Sequence, residues 1–152
     1  MANMGLETIN SSDYITPSVI NANFDKLDAL GLDYIVEQGT SGEWWYRKWK
    51  SGRVECGIDW KGFGVQKLHI EPNVANAYIT NDLSFGAYPF SFSKRPYVHV
   101  QWEGDSTTAS RGAYAVTRHS TSTTQSPTFF VVDWVDIDMD LYAGIYVRGT
   151  YK

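Results

Sequence analysis

Hydrophobic and polar positions alternate with a period of two along much of the second half of the chain. Val98, Val100 and Trp102 fall on one side against Tyr97, His99 and Gln101, and Tyr114 and Val116 oppose Ala113, Ala115 and Thr117. That period is the signature of a strand with one face buried. Runs of aromatic and β-branched residues broken by Gly, Ser, Thr and Pro predict strands at about 66–70, 75–83, 97–103, 112–118, 128–133 and 141–151. Short strands at near-regular spacing argue for a mainly all-β fold, an antiparallel β-sandwich, rather than βαβ units. The stretch Asp59-Trp60-Lys61-Gly62-Phe63-Gly64 reads as a glycine-punctuated turn.

The period changes near the N-terminus. Residues 1–14 are polar and irregular and read as an arm, after which Thr16 is placed to cap a helix with Pro17 in its first turn. The helix is predicted to run to about Leu30 and to end at Gly31. Ile20, Phe24 and Leu27 form its apolar stripe, widened by Val19 and Leu30. So short a helix is marginal alone, so the stripe must either dock on its own domain or join sister copies in a bundle. Between helix and sandwich, residues 43–58 read as a β-hairpin turning at Lys50-Ser51-Gly52. A three-residue loop with Gly52 in the left-handed region sets Arg47 opposite Glu55 and is preferred to the two-residue alternative, which sets Lys48 there. Adjacent Trp44 and Trp45 must point to opposite faces of a strand. With Trp49, they read as a subunit interface, since such rings are favoured there.

These elements suggest three segments: 1–31 as arm and helix, 32–64 as the hairpin segment and 65–152 as the sandwich head. The 152 residues suit one compact unit with an appendage. At 43% hydrophobic and 15% aromatic residues the chain can build a core. Its formal charge of −4 and scattered basic residues offer no stripe for nucleic acid. No apolar run approaches the roughly 20 residues of a membrane helix, and MANMGLETINSS lacks the apolar centre of a signal peptide. Cys56 is the single cysteine, which rules out an internal disulfide or a CxxC site and reads as a structural thiol.

The run Tyr34-Ile35-Val36-Glu37-Gln38-Gly39 followed by Trp44 to Cys56 resembles tail-fibre and minor structural proteins of phages that infect Gram-positive gut bacteria. Tyr88-Pro89-Phe90-Ser91-Phe92, the approach Arg95-Pro96-Tyr97-Val98 and the closing segment from Tyr142 to Tyr151 resemble the C-terminal β-sandwich heads of tail fibres, which are similar in architecture to trimeric H-type lectins. The chain departs from that pattern at Leu141 and Tyr142, where a tryptophan often stands. The resemblance implies a homotrimer in the virion tail that contacts other tail proteins, adheres to a host cell-surface saccharide, and needs no cofactor.

Candidate chemistry is sparse. No elbow for a hydrolase, phosphate cradle or zinc spacing is present, and His69, His99 and His119 stand far apart. Asp136, Asp138 and Asp140 alternate onto one face near Asp133, which is a solvated face or, at a trimer axis, a cation site. A glycosidase would need a carboxylate pair that no spacing singles out, so no catalytic residue is expected. Aromatic and polar groups mix at Trp102, Asp105 and Arg111, and again at Arg118 and His119, beside the Ser/Thr-rich loops at 104–111 and 119–127. These five residues are the candidate saccharide contacts, and Ile20, Phe24, Leu27, Trp44, Trp45 and Trp49 the candidate interface.

Overall fold

A computed structural model describes residues 17–72, 74–105 and 112–152. Helix α1 spans Pro17–Ala29, followed by strands β1 (Ile35–Ser41), β2 (Trp44–Trp49), β3 (Arg53–Lys67), β4 (His69–Ile70) and β5 (Tyr78–Ile79). Strands β6 (Tyr97–Asp105), β7 (Tyr114–Thr117), β8 (Phe129–Asp133) and β9 (Asp138–Thr150) complete the fold. They form two antiparallel sheets, one ordered β1-β2-β3-β9-β6 and the other β4-β5-β8-β7. The all-β sandwich read from alternation is the fold of this chain.

Turn chemistry sets the registers. Ser41 faces Trp44 across a two-residue loop in which Gly42 has a φ of 60° and Glu43 does not go positive, the type II′ requirement. The next loop is the three-residue one: Gly52, at a φ of 90°, donates its N–H to the Trp49 carbonyl at 3.0 Å, and Arg47 faces Glu55. The helix ends as expected. Gly31, at a φ of 65°, donates to Asp28 at 3.0 Å while Leu32 donates to Leu27 at 3.2 Å, closing the last turn in a Schellman motif. The Thr16 cap and the arm lie outside the described residues.

Residues 59–64 are not a turn. They continue β3, which pairs with β9 from Arg53 to Lys67 and absorbs its glycines in register shifts between Ile58 and Lys61 and between Gly62 and Gly64. The expected segment boundary at 64/65 therefore falls inside a strand, and the hairpin shares one sheet with the head. The stretch expected as a strand over 75–83 keeps only Tyr78 and Ile79 in regular pairing.

The core lies between the sheets. Val54, Cys56 and Ile58 of β3 and Leu141, Ala143, Ile145 and Val147 of β9 meet Phe129 and Val131 of β8. The largely irregular chain 83–92 adds Phe85, Tyr88 and Phe92. Phe85 stacks on Phe129 at 5.4 Å, and Tyr88 meets Trp44 edge-on at 5.7 Å. Burial pushes the Cys56 thiol up to about 12, so it stays protonated and inert, as a structural thiol should. Asp133 is fully buried and turns the chain out of β8 by accepting the N–H groups of Trp134 at 2.6 Å and Val135 at 3.1 Å.

Helix and edge strand are dressed differently. Ile20 and Phe24 are 40% and 43% exposed, and Ile35 and Val36 on β1 are exposed as well. Contacts to the segment after the helix tie it down: Phe24 lies 5.3 Å from the Tyr34 ring, and Asp28 accepts from Tyr34 and Lys50.

Candidate functional site

The outward face of the five-stranded sheet is ordered in rows that cross four strands. Trp45, Gly57, Tyr146 and His99 stand directly opposite one another on β2, β3, β9 and β6. Arg47, Glu55, Arg148 and Tyr97 form the next row. Alternation turns all of these away from the core.

Two glycines hollow this surface. A Cβ on Gly57 would lie 2.6 Å from the Ile145 carbonyl and 2.8 Å from the Trp45 ring, and one on Gly144 would collide with the Asp59 carbonyl. The Trp45 indole settles over Gly57, held by its Nε1–H donating to Asp59 Oδ1 at 3.0 Å, with the Tyr146 ring 6.2 Å away. Asp59, His99, Gln101 and Gly144 close a shallow hollow of about 140 Å³ around these two rings. The Tyr146 hydroxyl donates to Glu55 Oε2 at 2.6 Å; that bond, followed by burial, raises its pKa and keeps the phenol neutral.

Tyr146 also borders a second, larger groove of about 460 Å³, where Trp49, Arg53, Glu55, Lys94, Arg95 and Arg148 gather. Arg53 lies 4.1 Å from the Trp49 ring centre and Arg148 4.8 Å from that of Tyr97. Arg95 and Tyr97 in turn border a third hollow of about 530 Å³ with Tyr88, Arg118, His119 and Ser122. There Arg95 Nη1 meets His119 Nε2 at 3.3 Å, and because a guanidinium only donates, that ring nitrogen must be the acceptor. Arg118 Nε–H is held by Asp82 at 2.7 Å and its guanidinium lies over Phe130. Shared side chains thus join three hollows into one track.

No family model, curated protein or solved structure matches this chain. The track must be read from its own chemistry.

Of the residues singled out by sequence, Arg118 and His119 fall in the third hollow. Trp102 does not join them: on the inward-pointing side of β6 it is half-buried against the core. Asp105 is exposed at the far end of β6 opposite Asp140, and Arg111 lies outside the described residues. The expected interface also divides. Trp44 and Trp49 are 5% and 8% exposed, the first inside the sandwich and the second beneath Arg53, so both are satisfied within the protomer. Trp45 is the outward partner of the adjacent pair. Ile20 and Phe24 are exposed and Leu27 is half-buried. Asp136 and Asp138 are exposed and Asp140 half-buried, and among the described residues no three His, Cys, Asp or Glu side chains converge as a metal site. No helix among them is long and apolar enough to cross a membrane.

Sequence reasoning missed Arg53, Lys94, Arg95, Tyr97, Tyr146 and Arg148. The strand registers and the chain leading into β6 bring them together. The outward phase of Tyr97 on β6 was the one signal available in advance.

Proposed function

We propose that the chain is a tail-fibre-type adhesin, a trimer of sandwich heads that recognises a host cell-surface glycan. The observation that carries this reading is the hollow at Trp45 and Tyr146: an indole and a phenol ring, fixed at their polar ends, form a floor ringed by Asp59, His99 and Gln101. Aromatic faces accept the C–H side of a sugar ring, and the surrounding carboxylate, amide and imidazole bind hydroxyls. The exposed apolar stripe of α1 supports association of copies, and repetition of weak sites by symmetry supplies avidity. The two carboxylates along the track favour binding over cleavage. Glu55 and Asp59 are each engaged by a donor, Tyr146 and Trp45 respectively, rather than left unpaired as an acid and a base would be.

The test is a glycan array probed with the intact chain. Binding to at least one saccharide is expected, with Trp45→Ala weakening it about thirtyfold, the ~2 kcal/mol of an aromatic anchor, while the melting temperature stays near that of the parent. Silence across the array at high protein concentration would overturn the adhesin reading.

A further inference from the structure

We infer that the saccharide is anionic, carrying phosphate or carboxylate groups that Arg53, Lys94, Arg95 and Arg148 bind in the groove beside the aromatic floor. This rests on the adhesin reading and specifies its ligand. The cations of the chain are unevenly partnered. Lys48, Lys50, Lys61, Arg47 and Arg118 each face a carboxylate, Glu37, Asp28, Glu43, Glu55 and Asp82 respectively. The four cations of the groove lie in no ion pair among the described residues. In a chain of net charge −4 carboxylates are not scarce, yet one open hollow collects four cations against the single carboxylate of Glu55, itself held by Tyr146 and Arg47. Like charges so gathered repel until an anion enters.

The groups are also prepared to donate. Arg53 over Trp49 and Arg148 over Tyr97 are held by ring contacts, which need no N–H donor to be spent on an acceptor. A guanidinium edge matches two oxygens of a phosphate or carboxylate at once. Arg95 spends one nitrogen on His119 and keeps its other donors, and Lys94 adds a mobile point charge. The charges stand between the other two hollows, joined through Tyr146 on one side and Arg95 and Tyr97 on the other. A polymer with anionic groups at intervals along its backbone fits that order; an isolated anion would leave the outer hollows unused.

The experiment measures binding of the full chain by affinity electrophoresis and calorimetry to matched polymers: phosphomannan and its dephosphorylated mannan, polygalacturonate and its methyl ester, with duplex DNA as a polyanion that is not a saccharide. The expected result is binding to a charged polymer at least about tenfold tighter than to its neutral counterpart, weakening as salt rises. Whichever charged polymer wins identifies the group. Lys94→Ala/Arg95→Ala, at two exposed positions outside the strands, should lose about tenfold or more with an unchanged circular dichroism spectrum. Arg148→Lys should lose less than Arg148→Ala. Equal affinity for neutral and charged polymers, or indifference to the double variant, overturns the inference while leaving the adhesin standing. Equal affinity for DNA overturns it as mere ion exchange. Failure to bind any saccharide, charged or neutral, sinks both readings together.

Discussion

Gly57 shows how much a missing side chain can decide. Any Cβ there meets backbone at Ile145 and the ring of Trp45, so Gly57→Ala must shift one of them. Overpacking of this kind costs about 1–3 kcal/mol. Thermal unfolding should show the loss, and glycan binding should fall with it because the indole leaves its seat. Cys56 and Tyr88 make a second prediction at this scale. Burial raises the thiol from 9.0 and the phenol from 10.0, both to about 12. A group that holds its proton more tightly when folded favours the native state at pH below its unfolded value, and that benefit drains away as pH climbs toward the folded one. Stability should therefore decline from about pH 9 upward, and Cys56→Val should delay the onset toward pH 10 in denaturant titrations. A flat profile up to pH 11 would contradict both assignments.

At the scale of elements, much could be read in advance and the failures have physical causes. The hairpin register followed from Gly52 because only a residue free of a Cβ takes that φ cheaply. The end of α1 followed from Gly31 for the same reason. The stretch 59–64 misled because two charged positions and two glycines look like a turn locally, whereas the thirteen-residue β9 holds it extended from the other side and tucks the surplus into bulges. Trp102 misled because its polar neighbours lie on the opposite face of the same strand. The groove could not be read at all: its four cations come from positions 53, 94, 95 and 148, and pairing across β3, β9 and β6, with the chain that leads into β6, brings them together. The helix makes its own prediction. If the exposed Ile20 and Phe24 meet sister copies, sedimentation should give about three times the 17.2 kDa protomer, and Phe24→Glu should return it to one without altering the sandwich's melting. A monomer at every concentration would remove the trimer.

For the molecule as a whole, one wall of the sandwich carries the track of hollows and the other half secures it. The four-stranded sheet presses Phe129 and Val131 against β3 and β9. The outward side chains of those same strands make the track, so rigidity in the core is passed directly to the site. Removing the Asp133 carboxylate tests how far that support extends. Asp133→Ala frees two backbone N–H groups where β8 ends and should cost about 1–3 kcal/mol, read as a lower unfolding midpoint.

The rows across four strands also act as a ruler. From Trp45 on β2 to His99 on β6 is three interstrand steps, about 14 Å. Side chains from both ends of that row lean into one hollow of about 140 Å³, so a single sugar unit reaches both, and affinity should climb with chain length only as further units enter the two neighbouring grooves and then level off.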